Sequence, residues 1–377
     1  QIIASNLKHI LLPASWYPNS LIPLNGNFVQ RHAQTLAIGY QVSVIHVYRN
    51  SEIDSYFKLD IVENGNLLEI RCAYKSGFLK FIFSAIAFYK GYKCVLARRK
   101  KPDIVFWNVF FPLAAHIFWF NKILKVPNFA FEHWTGYHLD LPHFNVNHKH
   151  LKIAKAASTY CLKVMSVSKN LNRQMERVGL RNVGGVVYNV VDTSLFTFKP
   201  YEGKIFKWLH ISSLKDDHKN VTMLLKAFAE LSRTMPCTLT IINSGNEATF
   251  LSLIDTLGIN ALIEFTGVLN AAMVAEQMQR ADAFVLSSNY ENMPCVIEEA
   301  LCCGLPIVST NVGGINEIID NNNGILVPAR DQVALTSAMA TLIRNYKNYN
   351  RHGIAMKAHQ SFSQDAILKQ FNNQFDC

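Results

Sequence analysis

The chain has 377 residues, of which half are apolar, so it can bury two cores and suits two domains rather than one. Its net charge of +10 is uneven: residues 1 to 195 hold 23 Lys and Arg against 10 Asp and Glu, and the remainder holds 14 against 17. A basic first half points to an anionic surface or substrate without saying which. The eight cysteines show neither paired zinc spacing nor a secreted disulfide framework, so buried free thiols in a reducing cytoplasm are expected. No signal peptide is visible after Gln1. The longest apolar stretch, Ile104 to Phe120, is interrupted by Asn108, Pro112 and His116 and falls short of a spanning helix.

In chain order, Lys8 to Pro13 reads as a buried strand, and Ser15 to Asn27 as a loop. Phe28 to Gly39 is a helix by its spacing, and Gln41 to Val47 a second strand. Strand, Gly-bearing loop, helix, strand opens a nucleotide-type fold. It places Gly26 and Asn27 where backbone can approach a phosphate, although Gly26 also fits an ordinary turn. No Gly-x-Gly-x-x-Gly occurs, which argues against a dinucleotide cofactor.

Residues 78 to 101 interleave Phe78, Phe81, Phe83, Phe88 and Tyr89 with Lys80, Lys90 and Lys93 and end in Arg98 to Lys101. Such a helix can lie in an anionic membrane interface; it equally fits a core helix followed by a solvated basic turn. Ile104 to Phe106 and Asn128 to Phe131 are further strands, the second leading into Glu132-His133-Trp134. A polar imidazole after the carboxyl end of a parallel strand sits where such folds keep their chemistry. Five histidines lie between His133 and His150, but their spacing matches no common ligand pattern, so no metal is expected. Met165 to Ser168 is a strand end, Lys169 to Val178 an amphipathic helix, and Val186 to Val191 closes the first domain. Thr193 to Lys204 reads as a linker.

The alternation then restarts. Phe206 to Ile211 is a strand, Ser212 to Asn220 a loop, and Val221 to Leu231 a helix with Leu224, Leu225, Phe228 and Leu231 on one face. Thr238 to Ile242 and Ile263 to Phe265 are strands followed by glycine loops at Gly245 and Gly267-Val268. Ala283 to Leu286 is a strand, Asn289 to Met293 a polar loop, and Pro294 fits the first turn of a helix that ends at Gly304. Two carboxylates, Glu291 and Glu299, are thereby set beside a helix start suited to an anion. A helix is expected after Val312-Gly313-Gly314, a hairpin-like strand at Asn323 to Val327, a helix from Gln332 to Ile343 capped by Asp331, and a final amphipathic helix from Ser361 to Phe375.

Glu291 and Glu299 separated by seven residues, with Pro294 between them and Ala300, Gly304, Pro306 and Val308 following, resemble the signature of family 4 retaining glycosyltransferases of the GT-B fold. The resemblance implies an α/β chain of two Rossmann-like doubly wound domains with a cleft between them. Residues 1–195, completed by the C-terminal helix 361–377, form the acceptor domain, and 204–350 the nucleotide-sugar donor domain. It implies transfer of a sugar from a UDP- or GDP-sugar to a hydroxyl acceptor, lipid-linked or polysaccharide, with retention of configuration and without a metal or other cofactor. In that reading Glu291 grips the transferred sugar, and Glu299 takes the ribose hydroxyls. The N-H groups of Asn292, Met293, Cys295 and Val296, around Pro294, hold sugar and phosphate oxygens, and Lys219 and that helix start stabilise the leaving diphosphate. Gly245 and Val268 flank the nucleoside, His133 touches the donor sugar, and Gly26 and Asn27 face the diphosphate. Two positions depart from the family: Asn108 stands on the acceptor side where many relatives have histidine, and Ser213 stands where an arginine usually joins Lys219. A noncatalytic nucleotide- or carbohydrate-binding protein and a GT-B sugar-nucleotide epimerase are the rival readings. Nucleic acid is not an expected partner, and the expected location is cytoplasmic, peripheral on the inner face of the membrane.

Overall fold

The computed structural model describes residues 7–75, 80–139, 148–201 and 203–376. Contacts divide the chain into two units, one running to Val190 and resuming at Ile367, the other spanning Val191–Ala366.

The first unit is built on β1 (His9–Ala14), β2 (Gln41–Arg49), β3 (Phe57–Asn64), β4 (Leu67–Tyr74), β5 (Ile104–Asn108), β6 (Asn128–Glu132), β7 (Lys163–Ser166) and β8 (Val183–Val186). Among the described residues they form one sheet in the order β3-β4-β2-β1-β5-β6-β7-β8, parallel except for the β3–β4 hairpin. That hairpin has no counterpart among the expected elements. Chain order reverses between β1 and β5, and there Ser15 N donates to the carbonyl of Asn108 at 3.0 Å. The helix Asn27–Leu36 buries Val29, His32, Ala33 and Leu36 against this sheet. The unit's last strand is Val183–Val186, and residues 187–190 run on from it without regular structure to the unit boundary after Val190.

The second unit contains β9 (Phe206–Ser212), β10 (Cys237–Asn243), β11 (Ile263–Gly267), β12 (Ala283–Leu286), β13 (Ile307–Thr310) and β14 (Gly324–Val327), all parallel, in the order β11-β10-β9-β12-β13-β14. The expected helix Val221 to Leu231 forms at Val221–Ser232 and contributes Leu224, Leu225, Phe228 and Leu231 to a core shared with Leu239, Ile241, Val285 and Met339. The sheet order reverses between β9 and β12, the kind of switch point outside which doubly wound folds place their ligands.

Three expected elements differ. The segment Asn323 to Val327 is no hairpin: β14 pairs in parallel with β13, and Asn323 ends a turn by accepting from Asp320 N at 2.8 Å. After Val312-Gly313-Gly314 there is only a 3-10 turn, Ile315–Glu317. Its backbone is committed elsewhere, because Gly314 N donates to the carbonyl of Asn292 at 2.7 Å and Gly313, at φ 60°, lies so close to the Glu291 carbonyl that no side chain fits. The final helix starts at Gln364 rather than Ser361 and runs to Phe375; Ser363 separates it from a further helix, Arg351–Phe362, that has no counterpart among the expected elements. The final helix buries Ile367, Phe371 and Phe375 in the first unit, where Phe375 meets Phe106 at 5.2 Å and Phe129 at 5.0 Å.

Candidate active site

Both ends of the second unit's switch point carry polar residues. β9 ends in Ser212 and the loop through Leu214, which adopts φ 57°. A short helix, Asp216–Lys219, follows. β12 ends in Ser287 and Ser288, and the loop Asn289 to Pro294 follows. Hydrogen bonds tie the two together: Asn289 N donates to His218 O at 2.7 Å, Asn289 Nδ2 to Asp217 O at 2.9 Å, and Ser287 Oγ to Lys219 O at 2.8 Å. The His218 ring stacks on Tyr290 at 4.1 Å and an interplanar angle of 4°, its Nε2–H donating to the Tyr290 carbonyl at 3.0 Å.

This clasp delivers three groups to one oxygen. Lys219 Nζ stands 2.5 Å, Ser288 Oγ 2.8 Å and His218 Nε2 3.6 Å from Glu291 Oε1. Glu291 is buried, and burial by itself would raise its carboxyl; the Lys219 ammonium and then His218 outweigh that and hold it at about 2. The carboxylate is therefore ionised and fixed at neutral pH. Below it His210 bridges the two strands, donating from Nδ1 to Val285 O at 2.9 Å and accepting the Ser212 hydroxyl at Nε2, also at 2.9 Å. Burial lowers this imidazole to about 4, so it is a neutral strut.

The helix after the loop runs Cys295–Cys302, with Pro294 just before its first residue rather than inside it, accepting from Ile297 N at 3.0 Å. Asn292, Met293 and Pro294 are buried, while Cys295 and Val296 are partly exposed at the helix start. Glu299 lies buried on the same helix, beside Glu298. Gly245 packs its backbone against the carbonyl of Ser213, which brings the position lacking arginine beside the second glycine loop. Asn243 joins that loop to the next: Nδ2 donates to Gly245 O at 2.9 Å, and Oδ1 accepts Gly267 N at 3.1 Å. Val268 follows with its side chain exposed.

Glu291, Ser213, Asn292 to Val296, Gly245 and Val268 thus fall on loops and a helix start after the strands β9 to β12, with Lys219 ending the short helix after β9 and Glu299 within the helix after β12. Sequence reasoning missed His218, Ser288, His210 and Asn243. Ser-Ser immediately before a charged loop and a histidine next to Lys219 were the available signals.

In the first unit, Gly26 has φ 63° and an added Cβ would lie 2.5 Å from the Trp16 carbonyl carbon, so the turn into the helix Asn27–Leu36 requires glycine. Asn27 opens that helix, exposed. Asn108 ends β5 fully buried, its side-chain amide without a hydrogen-bond partner among the described residues, and the next residue, Val109, has φ 51°. His133 follows β6, its ring 4.5 Å from both Phe28 and Phe131 and 5.5 Å from His32. Burial first, and His32 second, hold its pKa well below the ordinary value, so it acts as a neutral imidazole. Glu132 beside it clasps two strand ends: Oε2 accepts Phe110 N at 3.2 Å and Tyr137 OH at 3.0 Å, and Oε1 accepts His133 N at 2.8 Å and Trp134 N at 3.0 Å. Burial raises its carboxyl to about 7 against the pull of these donors. Among the described residues no group of three or more His, Cys, Asp or Glu is arranged to hold a metal ion.

Residues 206–345 match the family model described as glycosyl transferases group 1. The second unit carries a glycosyl transferases group 1 domain. The N-acetyl-alpha-D-glucosaminyl L-malate synthase of Bacillus anthracis is 28% identical over 167 residues, 43% of each chain. The chain spans less than half the length of this curated relative. Across the whole chain the fold is similar to sucrose-phosphate synthase from Thermosynechococcus elongatus, at TM-score 0.77 and 18% identity over 98% of both chains. It is similar to Anabaena Alr3699/HepE in complex with UDP-glucose as well, at TM-score 0.71 and 17% identity, covering 98% of this chain and 100% of that one. This is the GT-B fold, with two Rossmann-like units. Within the group 1 domain, the Glu291 clasp, the helix from Cys295 and the Gly245 and Gly267 loops are the assembled polar features.

Proposed function

We propose that this chain is a retaining glycosyltransferase that moves a sugar from a UDP- or GDP-sugar to a hydroxyl of a lipid-linked or polysaccharide acceptor. The observation that carries the reading is the buried, ionised Glu291 pinned by Lys219, Ser288 and His218 at the switch point, directly before a helix start. A carboxylate so fixed accepts hydrogen bonds from sugar hydroxyls, and the adjacent ammonium and helix N-terminus suit a diphosphate. The UDP-glucose in the Anabaena structure supports the same donor class.

In this reading the acceptor oxygen attacks the anomeric carbon on the face the diphosphate leaves. The bond from that carbon to the phosphate oxygen breaks, and the acceptor proton passes to the departing phosphate. Lys219, the N-H groups from Asn292 to Val296 and the helix dipole stabilise the charge that develops on the diphosphate, so no metal is needed. Glu291 positions the sugar and is not a nucleophile. Glu299 takes the ribose hydroxyls, with Ser213, Gly245 and Val268 on the nucleotide side. From the first unit we assign His133 to a sugar hydroxyl, Asn108 to the acceptor, and Gly26 and Asn27 to phosphate oxygens. The enzyme works in the cytoplasm at the inner face of the membrane.

The test is release of nucleoside diphosphate from a panel of UDP- and GDP-sugars with and without glycolipid and oligosaccharide acceptors, with the product anomer read by NMR. Glu291→Ala is expected to keep nucleoside diphosphate binding and lose transfer, while Glu299→Ala weakens nucleotide binding. Unimpaired turnover by Glu291→Ala, or an inverted product, overturns the reading. Absence of acceptor-dependent release from every donor leaves the noncatalytic rival standing.

A further inference from the structure

Two neighbouring helices of the first unit turn large apolar side chains to solvent. Lys80–Leu96 faces inward with Ala87, Phe88, Tyr92 and Val95, all buried. Ile117–Leu124 does so with Ile117 and Phe120. They pack together, since the Phe88 ring lies 4.7 Å from Phe120 and 5.2 Å from His116, and Tyr92 lies 5.2 Å from Phe120. Their outer faces carry Phe81 (79% exposed), Ile82 (54%) and Tyr89 (53%) on the first helix and Trp119 (70%) and Ile123 (63%) on the second. Single exposed apolar residues are ordinary on a protein surface; five large ones on two packed helices are not.

Charge identifies what covers them. Between residues 70 and 131 there are eleven Lys and Arg and one acidic residue, Asp103. Arg71 is committed to Asp60 and Glu69, Arg99 to Glu63 and Lys100 to Asp103, so the cations left to a partner are chiefly the lysines of the helices. On the helices themselves Lys90, Lys93 and Lys122 are exposed, Lys93 with its ammonium 5.8 Å from the Tyr89 ring centroid and Lys90 with its own 5.3 Å from that of Phe57, and Lys125 directly follows. Nothing in either helix is acidic. Rings and branched aliphatics flanked by long cationic stems match a bilayer boundary, where apolar groups enter the acyl region and ammonium groups reach the headgroups. Ile82 and Ile123 cannot stack on bases, which disfavours a nucleic acid. No helix among the described residues is long and apolar enough to cross a membrane, so contact by these helices would be lateral.

We infer that the outer face of Lys80–Leu96 and Ile117–Leu124 is a docking surface for an anionic lipid bilayer, with Phe81, Ile82, Tyr89, Trp119 and Ile123 entering it and Lys90, Lys93, Lys122 and Lys125 on its headgroups. The surface lies within the first unit, and residues 78 and 79 of the basic, aromatic stretch lie outside the described residues. It gives the lipid-linked acceptor class of the proposed function a physical basis, but its test needs no sugar transfer, so either can fail alone.

The test is flotation of the full chain with phosphatidylcholine vesicles, with and without phosphatidylglycerol. The expected result is binding only to the anionic vesicles, weakened by salt. Phe81→Ser with Trp119→Ser should lower partitioning at least about tenfold at an unchanged thermal midpoint, because each ring loses a large apolar burial. Lys93→Glu with Lys122→Glu should do so through charge. In the otherwise unaltered chain, lipids brominated on the acyl chain should quench part of the tryptophan emission, a part absent from Trp119→Phe. Absence of flotation, flotation indifferent to both double variants, or quenching retained by Trp119→Phe overturns the inference. So does a self-associated chain that Trp119→Ser dissociates without any vesicle binding, or preference for single-stranded RNA over anionic vesicles.

Discussion

Lys219→Met isolates the contact on which the candidate site rests. Glu291 titrates at about 2 instead of the ordinary 4.5, because Lys219 and His218 outweigh burial. At about 1.4 kcal/mol per pH unit that difference is worth about 3 kcal/mol to the folded second unit. A depressed carboxyl contributes its stability above the unfolded value, and the contribution is lost as pH falls from 4.5 toward 2. Removing the ammonium while keeping an apolar stem reverses the balance. Burial now dominates, the folded carboxyl moves above 4.5, and at neutral pH the variant holds a buried charge without its main partner. The expected loss is about 3 to 5 kcal/mol near neutral pH, shrinking as pH falls and Glu291 protonates. Urea titrations at several pH values, read by pulsed hydrogen exchange on peptides from residues 206–345, score the second unit apart from the first. Glu291→Gln combined with Lys219→Met should lose less than the two single losses together, because neither orphan charge remains. A Lys219→Met deficit of under about 1 kcal/mol, or one that does not change with pH, would refute the assignment of Glu291's depressed pKa to Lys219.

Three further outcomes follow from the same reasoning. Glu132, raised to about 7 in the fold, keeps its proton after the unfolded carboxyl at 4.5 has lost its own, so the first unit should lose about 3 kcal/mol as pH rises across that window. Glu132→Gln should flatten that slope in urea midpoints taken on first-unit peptides. Gly26→Ala, at φ 63° and against the Trp16 backbone, should cost about 2 kcal/mol or more, visible as a lowered thermal midpoint. Ser213→Arg should tighten nucleoside diphosphate binding severalfold in calorimetry, since a guanidinium can grip two phosphate oxygens at once.

The second unit was more legible in the sequence than the first. Its strands are short apolar runs bounded by glycine and asparagine, and the loops that the resemblance singles out around Glu291, Gly245 and Val268 do follow strands of this sheet. What failed there were segments whose backbone serves the site: Gly313-Gly314 looks like a helix start, but the Glu291–Asn292 carbonyls have taken its geometry and its N-H. In the first unit, the Phe57–Tyr74 hairpin mixes charged and apolar residues on an edge strand and escaped notice. The outward Trp119 and Ile123 could not be told from core positions, because a helix apolar on both sides has no readable inside. The contact of His218 with Glu291 was hidden for another reason. It forms only because β9 and β12, 77 residues apart at their first residues, are neighbours in the sheet.

Under the proposed function, the Lys219–Glu291 pair also bears on how a site lacking arginine at Ser213 would hold a diphosphate. The ammonium and the carboxylate neutralise each other at 2.5 Å, so the pair by itself offers a diphosphate little net charge. A nucleoside diphosphate alone must draw Lys219 away from a buried carboxylate that then retains only Ser288 and His218. A nucleotide-sugar brings its own replacement, because hydroxyls of the sugar can donate to Glu291 as the phosphates recruit Lys219. The donor's two halves are thereby coupled through one ion pair, and the complete donor is favoured over the spent nucleotide by the hydrogen bonds to Glu291 that only the sugar makes. In the proposed reaction the sugar is gone after transfer, Glu291 would reclaim Lys219, and the diphosphate would lose its principal cation. A second, arginine-based clamp would hold the product as well as the substrate; its absence at Ser213 leaves release to this exchange.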